Sequence, residues 1–425
     1  MKLLTTSDLH LGRHSSLPFD ESDDTLTSSA QTWRRIVDYA VQEAVDAVLM
    51  AGDLVDEANR YYEATFELEK GIKRLTDSKI PVVMVSGNHD YNVLPEMAGR
   101  IQNDFVHFLG RNGNWETRII TVRNGEKLQV TGWSVPEEQA RFTRSPLDFF
   151  EKPADLGLPS VGLLHCDVDQ SASTYVPVAS ADFNNTSLDY WVLGHIHKPE
   201  SFRSHAPEVF YTGAPHPFDA GETDAGFIRI LNTATQTSNT VSLTPIRFRN
   251  LVFEVPDVDE TKMRSSFLDK LKEVAADPGL RSDQLRLLVF TVRCRGTVSA
   301  LQRFLEAHKD RASEYIPVDT NLQAVVRKWI EEPQPEVDLK RLSRNHDPAG
   351  LLAFRLRQIE EGESSEELEQ LLSECRDEYR SLAAHRVFEP LGKPLDPGDV
   401  AVRELMYNRG MKLLETLLKQ VEGRS

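Results

Sequence analysis

Short apolar runs that pass directly into polar residues dominate the first half of this sequence, and they restrict the folds open to it. The runs lie at residues 3–6, 47–51, 82–86, 160–164 and 190–193. Their length and apolar character are typical of buried strands. Segments with helical apolar spacing, at residues 31–44 and 62–75, separate the first three runs. Strand, helix and strand in this order predict βαβ units with parallel strands, and therefore an α/β fold.

Alternating polar and apolar residues predict a different kind of sheet further along the chain. The alternation covers residues 117–130 and returns at 209–255, and turn dipeptides such as Asn124-Gly125 interrupt it. This pattern favours antiparallel strands in a second sheet.

The pattern changes again near residue 257. A helical segment at 262–275, an apolar strand at 285–292 and a second helix at 299–308 predict a compact α/β unit. Pro333 and Pro335 predict a linker, after which the sequence is almost wholly helical. A chain of 425 residues exceeds a typical single core. We therefore predict three domains, at residues 1–250, 251–332 and 333–425.

Composition narrows the class of protein. No apolar run approaches the roughly 18–20 residues that cross a bilayer, and Asp8 precedes any apolar core of a signal peptide. Cys166, Cys294 and Cys375 are too widely spaced to indicate a disulfide framework or a zinc–thiolate site. We therefore expect a cytoplasmic protein without membrane association.

The formal net charge is −17, whereas proteins that grip nucleic acid usually present a basic surface. Acidity argues modestly against autonomous DNA binding. Two explanations stay open for a nucleic-acid enzyme of this charge. Either bound divalent cations supply the local positive charge, or a partner subunit supplies the surface that binds nucleic acid.

Five short polar motifs stand out, and each of them follows a predicted strand. They are Asp8-Leu9-His10, Gly52-Asp53-Leu54-Val55-Asp56, Gly87-Asn88-His89-Asp90, His165, and Gly194-His195-Ile196-His197. Each alone has an ordinary interpretation as a turn, a loop or a core histidine. Ligands of open α/β sheets bind beyond the carboxyl ends of the strands, so the five motifs are expected to converge at one edge.

The donor types indicate the class of metal. Carboxylate, carboxamide and imidazole groups without thiolate suit Mn²⁺, Fe²⁺ or Zn²⁺. They are too many for one ion, and they suffice for two if one carboxylate bridges. Two metals about 3.5–4 Å apart clamp a phosphate and hold a hydroxide between them for in-line attack.

The order of these motifs resembles that of the calcineurin-like metallophosphoesterases. The flanks Thr6-Ser7-Asp8-Leu9-His10-Leu11-Gly12 and Leu193-Gly194-His195-Ile196-His197-Lys198-Pro199 look like those of the SbcD-type DNA repair exonucleases. Gly162-Leu163-Leu164-His165-Cys166 and Tyr211-Thr212-Gly213-Ala214-Pro215 are similar to the YhaO-like subgroup. The resemblance implies a four-layer α/β/β/α metallophosphoesterase sandwich, a small α/β capping domain and a helical C-terminal region.

The resemblance also implies roles for individual residues. One metal would be held by Asp8, His10, Asp53 and His197, and the other by Asp53, Asn88, His165 and His195, with Asp53 as the bridge. His89 would face the substrate and protonate the leaving 3′-oxygen, and Asp56 would orient it. An imidazole with a near-neutral pKa is suited to that task. The alternative for Asp56 is a helix N-cap ahead of residues 62–75.

The function implied is a Mn²⁺-dependent DNA exonuclease and endonuclease subunit, with Fe²⁺ or Zn²⁺ as the other candidate metals. Its substrates would be double-stranded ends or single strands, and its partner an SMC-like coiled-coil ATPase; a homodimer is a further expectation. Two alternatives stay open: a phosphodiesterase or pyrophosphatase acting on a small nucleotide, and a non-catalytic scaffold on the same fold.

Two local features also have two interpretations each. The last helix carries an apolar stripe at Leu413, Leu414, Leu417, Leu418 and Val421. The stripe either packs on its own domain or docks on the coiled coil of a partner. Arg13 and His14 follow the first motif and either contact phosphate or are solvated, as exposed loop residues of this kind usually are.

Overall fold

A computed structural model describes residues 1–17, 24–56, 62–138, 140–203, 206–280, 282–309, 314–334, 338–383 and 399–422. The chain divides into two compact units. The first comprises Met1–Arg295 with Gln302–Glu332, and the second comprises Gly296–Leu301 with Pro333–Ser425. None of the helices in the described part of the chain is long and apolar enough to cross a membrane.

The first sheet of the larger unit has six strands. They are β1 (Lys2–Thr6), β2 (Ala47–Ala51), β3 (Val82–Val85), β4 (Val106–Phe108), β13 (Ile228–Asn232) and β14 (Thr237–Val241). Their order in the sheet is β14-β13-β1-β2-β3-β4. The strands β1 to β4 are parallel, as the βαβ pattern predicts, and β13 and β14 continue the sheet in antiparallel fashion.

Helices cover the outer face of this sheet. They are α1 (Asp24–Thr27), α2 (Ser29–Gln42), α3 (Tyr62–Asp77) and α4 (Leu94–Arg100). In α2, the buried residues Trp33, Ile36, Val37 and Ala40 recur at helical spacing. They pack with β1, β2 and β3 in one apolar core.

The second sheet also has six strands. They are β5 (Glu116–Thr121), β6 (Lys127–Trp133), β7 (Ser160–His165), β10 (Tyr190–Gly194), β11 (Glu200–Arg203) and β12 (Glu208–Tyr211), in the order β11-β12-β10-β7-β6-β5. A core that includes Leu49, Val85, Val161 and Val192 fills the space between the two sheets. The 3₁₀ turns Pro146–Phe149 and Ser180–Asn185, with the short pair β8 (Asp167–Val168) and β9 (Pro177–Val178), form the layer outside the second sheet.

The predicted antiparallel second sheet is only partly correct. The hairpin β5–β6 is antiparallel and turns at Asn124-Gly125. In contrast, β12 lies parallel to β10, while β13 and β14 belong to the first sheet. The reason is that periodicity reports how a strand is buried on its two faces. It does not report which neighbour the strand pairs with.

A third sheet completes the larger unit. Its strands are β15 (Ile246–Glu254), β16 (Leu287–Thr297), β17 (Ile316–Asp319) and β18 (Leu322–Gln334), in the order β15-β16-β18-β17, and its helices are α5 (Glu260–Ala275) and α6 (Val298–Lys309). The Asp259 side chain caps α5 by accepting from Lys262 N at 3.0 Å. β15 and β16 are parallel, and β15 extends across residues 250 and 251. The three-domain division stays a prediction.

The predicted linker at Pro333 is wrong, because Pro333 lies inside β18. It stands next to the last residue of the strand, where a missing N–H is tolerated. Pro335 lies outside the described residues.

Beyond the end of β18, the described part of the smaller unit is helical, with α7 (Leu339–Leu342), α8 (Pro348–Glu360), α9 (Glu366–Ala383) and α10 (Asp399–Glu422). In the apolar stripe of α10, Leu414 is fully buried, and Leu417 and Leu418 pack with it in a core shared with α8. Leu413 remains 54% exposed. Most of the stripe whose side chains are described is therefore covered within its own unit.

Candidate metal centre

The first three strands of the first sheet deliver polar groups from their carboxyl ends. Beyond β1 and β2 the two chains stay paired, with Asp8 N donating to Gly52 O and His10 N to Asp53 O, both at 3.0 Å. This pairing places the side chains of Asp8, His10 and Asp53 together in a buried position. Asn88 follows β3 and completes the contribution of this sheet.

Asp53 lies at the middle of the centre. One of its carboxylate oxygens accepts from His89 N at 2.8 Å, and the other lies 3.2 Å from His165 Nε2. Burial by itself would raise the pKa of Asp53. The charge and hydrogen bond of His165 outweigh burial, so the pKa lies below its usual range.

The second sheet contributes His165 at the end of β7 and His195 and His197 after β10. His165 Nδ1 lies 3.0 Å from Ala51 O, to which it donates, and Nε2 lies 3.1 Å from Asn88 Oδ1. The imidazole is thus oriented by the first sheet. Burial lowers the pKa of His165, but the charge of Asp53 reverses this and raises it.

Strand ends approach closely at this edge, between the two sheets at Gly194 and within the first sheet at Gly87. A Cβ on Gly194 would lie 2.1 Å from Ala51 O, and a Cβ on Gly87 would lie 2.2 Å from Asp53 Oδ1. Any side chain at either position would push the strand ends apart. Glycine is therefore required at both positions, because it alone lacks the Cβ that would clash there.

A first cluster of donors contains Asp8, His10 and His197, whose ligand atoms lie within 4.8 Å of one another. His10 Nε2 and His197 Nε2 face each other at 3.2 Å. His197 Nδ1 donates to Glu222 Oε1 at 2.7 Å. Burial lowers the pKa of His197. The hydrogen bond to Glu222 and the charges of nearby carboxylates together outweigh burial, so the pKa of His197 is raised.

A second cluster contains Asp8, Asp53 and His165, again with ligand atoms within 4.8 Å. Asn88 Oδ1 adjoins it through His165, and the ring centre of His195 lies 5.3 Å from that of His165. Burial, followed by the charge of His165, lowers the pKa of His195. The two clusters share Asp8, and Asp53 also lies 3.9 Å from His10 Nε2.

His89 and Asp56 stand beside these clusters. Asp56 Oδ1 lies 3.4 Å from His10 Nδ1 and 3.5 Å from His89 Nδ1. Burial favours a raised pKa for Asp56, but the contacts with His10 and His89 outweigh it and lower the pKa. The contact with Asp56 raises the pKa of His89, whose side chain is 37% exposed. The residues in front of α3 lie outside the described part, so the N-cap alternative has no structural description.

Several residues that the sequence analysis did not assign support the centre. Asp90 is fully buried, and its oxygens accept from Gly87 N at 2.7 Å and Leu54 N at 2.6 Å. Burial, followed by the charge of Asp53, raises the pKa of Asp90 to about 7. Asp90 is the last residue of the motif Gly87-Asn88-His89-Asp90, so its position was a usable signal. Glu222 is distant in sequence from His197 and had no such signal.

The donor atoms fit a pair of divalent cations. His10 Nε2 and His197 Nε2 lie 3.2 Å apart, an arrangement of ring nitrogens that a shared cation would accommodate. Two carboxylates, Asp8 and Asp53, are almost fully buried among imidazoles rather than among lysine or arginine. Buried carboxylates are normally paired or coordinate metals, so this arrangement fits cationic ligands.

The two-sheet fold and the buried carboxylate–imidazole edge define a metallophosphoesterase domain. Residues 1–199 match the calcineurin-like phosphoesterase family, and this part of the chain is a member of that family. The family prediction is thereby confirmed.

Three curated relatives are similar to the chain. An uncharacterized metallophosphoesterase, YhaO of Bacillus subtilis, is 32% identical over 174 residues, which are 39% of this chain and 40% of that protein. The DNA double-strand break repair protein Mre11 of Aeropyrum pernix is 28% identical over 206 residues, covering 47% of this chain and 49% of that protein. A component of the nuclease SbcCD of Bacillus subtilis is 28% identical over 154 residues, covering 36% of this chain and 38% of that protein. The chain thus spans less than half the length of each.

Proposed function

We propose that this chain is a two-metal phosphodiesterase that acts as a DNA exonuclease and endonuclease subunit in DNA end processing and repair. The observation that carries the proposal is the convergence of buried and partly buried donors from five strand ends. Asp8, His10, Asp53, Asn88, His165, His195 and His197 are proposed as the ligands. Their chemistry suits Mn²⁺ as the working metal, with Fe²⁺ or Zn²⁺ as alternatives.

DNA is proposed as the substrate because two of the similar proteins are named for DNA break repair and for a nuclease. The sheet formed by β15 to β18, with α5 and α6, adds a further surface beside the phosphoesterase sheets. A polymeric substrate uses such an added surface, whereas a small nucleotide has no need of it. An SMC-like coiled-coil ATPase is proposed as the partner by analogy with the multi-component nuclease, together with homodimerisation.

The residues beside the clusters account for proton delivery. Two divalent ions, when bound, would neutralise phosphate charge and make a water molecule a competent nucleophile near neutral pH. Asp56 Oδ1 faces His89 Nδ1 at 3.5 Å, which leaves His89 Nε2 for the leaving 3′-oxygen. The contact with Asp56 raises the pKa of His89, which favours the protonated imidazole that a general acid requires.

The test is metal content and hydrolysis by the Asp53→Ala variant. Protein treated with EDTA is reloaded with Mn²⁺ and assayed on bis-p-nitrophenyl phosphate and on duplex and single-stranded DNA. We expect the wild-type protein to retain two ions and to cleave both kinds of substrate. Asp53→Ala should lose both ions, because its carboxylate faces both groups of ligands. His10→Ala should mainly weaken one site.

Asp77→Ala is the matched control, because Asp77 is 60% exposed and, within the part of the chain that the structure describes, its ion pair is with Lys73 of the same helix α3. It should keep both ions and full activity. Two ions retained in Asp53→Ala would refute the bridge. Hydrolysis of small esters without any cleavage of DNA would favour the small-nucleotide alternative, and absence of all Mn²⁺-dependent turnover would favour the scaffold.

A further inference from the structure

Arg13 stands at the border of the metal centre, and its backbone is fixed. Gly12 has φ of 99°, which turns the chain sharply after the first motif. Arg13 N then donates to His10 O at 3.0 Å. Ser29 holds the other side, with its N and Oγ donating to Arg13 O at 3.2 and 3.0 Å. The origin of this side chain is therefore tied to a proposed ligand and to the start of α2.

The guanidinium of Arg13 lies over an aromatic ring. Its Cζ is 4.4 Å from the centre of the Phe218 ring. Phe218 is buried, and its ring meets that of His10 edge-on at 5.7 Å between centres and that of His197 at 6.2 Å. The stack thus places the guanidinium one aromatic ring beyond the proposed ligands.

Phe218 is held in place from two directions. Its carbonyl accepts from Ser16 N at 2.8 Å, and its N–H donates to Glu222 Oε2 at 2.6 Å. The other oxygen of Glu222 holds His197. One carboxylate therefore fixes both the platform under Arg13 and a proposed ligand, so the distance between the guanidinium and the centre is set by the fold.

The guanidinium has its donors available. Among the described residues, Arg13 makes no ion pair and no side-chain hydrogen bond, whereas Arg34 forms a two-pronged pair with Glu67 at 2.6 and 2.8 Å. The charge of Arg13 acts on the carboxylates of Asp56 and Glu222, but neither is close enough to form an ion pair with it. Arginine presents five donors in a planar fork that matches phosphate. A fixed arginine beside a phosphoesterase centre, with its fork unoccupied by these carboxylates, is suited to an anion that arrives with the substrate.

We propose that Arg13, stacked on Phe218, binds the phosphodiester group next to the one held at the metal centre. The proposal rests on the proposed function, and it makes the site selective for substrates that carry consecutive phosphates, as a polynucleotide does. The structure thereby favours phosphate contact over solvation, the two interpretations that the sequence leaves open for this residue.

The test compares Arg13→Gln with the wild-type protein on two substrates in Mn²⁺. A hydrogen bond to a charged group corresponds to roughly a tenfold change or more in binding. We expect KM for DNA to rise about tenfold with kcat little changed, and the log–log salt slope of DNA binding to fall by about one. Hydrolysis of bis-p-nitrophenyl phosphate, which has one phosphate, should change less than about twofold, and both ions should remain.

Two further variants are compared with Arg13→Gln, one that keeps the charge at this position and one that removes an arginine elsewhere. Arg13→Lys keeps the charge without the planar fork, so it should retain the salt slope and show an intermediate KM. Arg123→Gln is the matched control, because Arg123 is exposed and its N–H donates to Asp46 O at the opposite end of β2. It should match wild type on both substrates.

Unchanged DNA kinetics in Arg13→Gln would overturn the proposal while leaving DNA cleavage by the wild-type protein intact. Equal losses on both substrates, or loss of metal, would also overturn it, because Arg13 would then support the centre itself. A wild-type protein that hydrolyses the small ester and ignores DNA would remove the proposed function and this inference together.

Discussion

Four predicted site residues adopt a backbone conformation that side chains other than glycine rarely adopt. They are Asp8, His10, Asp53 and His195, with φ of 52°, 41°, 51° and 106°. Such conformations cost on the order of 1–3 kcal/mol each, and the surrounding structure must enforce them. Here hydrogen bonds between the chain after β1 and the chain after β2 hold Asp8, His10 and Asp53, and His195 N donates to the carboxylate of Asp8 at 3.2 Å. The donors are therefore held in position by the fold itself, before any ion binds.

His89 offers the sharpest test at the scale of one side chain. In His89→Asn both metals should remain, because His89 is not among the proposed ligands. Cleavage of DNA should fall by ~10²–10⁴-fold, the usual contribution of general acid catalysis. A p-nitrophenyl ester has a good leaving group and should be much less affected. Rates on both substrates, with metal content by elemental analysis, check this expectation.

Asp56→Asn should show a milder form of the same contrast, because Asp56 acts through His89. Equal losses on the two substrates would refute the general-acid assignment. So would loss of metal from His89→Asn, which would make His89 a ligand of the centre; its ring nitrogen does lie close to His10 and Asp53.

His216 predicts how the stability of the larger unit depends on pH. It is fully buried, with Nδ1 2.8 Å from Thr32 Oγ1 and Nε2 2.8 Å from Ser15 Oγ. Burial lowers its pKa to about 4, although the carbonyl of Thr27 opposes this. The unfolded chain takes up a proton below about pH 6.5, and the folded protein does so only near pH 4. Stability contributed by neutral His216 is therefore complete above pH 6.5 and is lost as pH falls toward 4.

The measurement is urea unfolding in EDTA, followed by tryptophan fluorescence, because all five tryptophans lie in the larger unit. Between pH 7.5 and 5.5, His216→Gln should lose about 1 kcal/mol less stability than wild type, since one pH unit below the unfolded pKa corresponds to about 1.4 kcal/mol. Between pH 8.5 and 7.5 the two proteins should differ by a constant amount. An equal acid-induced loss in both proteins would exclude His216 as the source.

At the scale of the elements, apolar runs indicate where strands end, and this sufficed to place the site. The strand ends before Asp8, Asp53 and Asn88 needed only local information. Strand partners needed more, because periodicity is identical for a strand in either sheet. That is why β13 and β14, on the first sheet, could not be separated from β12, on the second.

The contact between α2 and α3 gives a test in which a common rule should reverse. Glycine to alanine inside a helix usually stabilises by up to about 1 kcal/mol. A Cβ on Gly71 of α3 would lie 2.2 Å from Trp33 Nε1, however, and the fully buried Trp33 cannot yield. We expect Gly71→Ala to destabilise the larger unit by about 1–3 kcal/mol, the usual cost of overpacking a core. Urea midpoints check the sign.

Gly99→Ala is the matched control within α4. Its nearest atom would be Arg111 Nη2 at 3.6 Å, an ordinary contact with the end of a flexible side chain. This variant should be neutral or stabilised by up to about 1 kcal/mol. Stabilisation by both variants would mean that α2 and α3 move apart easily.

At the scale of the whole molecule, the candidate site is assembled from two sheets, and the sequence predicted its members better than their supports. Motif residues were recognisable because donors cluster after strands. Glu222 and Phe218 were not, because they reach the centre through contacts with His197 and His10 that no local spacing encodes. The support of Asp90 is similar in kind, since it joins the loops after β2 and β3 by hydrogen bonds from Leu54 and Gly87.

The helical C-terminal region provides the last prediction, which compares two deletions. Removal of residues 335–425 leaves β18 whole and takes away none of the proposed ligands. This variant should keep Mn²⁺-dependent hydrolysis of bis-p-nitrophenyl phosphate within about twofold, because all the proposed ligands belong to the larger unit. Removal of residues 399–425 alone should behave worse, because it strips α10 from Ala353 and Leu356 of α8 and leaves an apolar face exposed.

We therefore expect the protein that lacks residues 335–425 to be more soluble and more active than the protein that lacks only residues 399–425. Size-exclusion chromatography and specific activity measure the two properties. The same longer deletion carrying Asp53→Ala controls for contaminating hydrolases and should be inactive. If the protein ending at residue 334 is folded and binds metal but has lost hydrolysis of the small ester, the helical region contributes to the centre. If instead the protein lacking only residues 399–425 stays soluble, α10 does not hold the apolar face of α8, and its stripe becomes available for docking a partner.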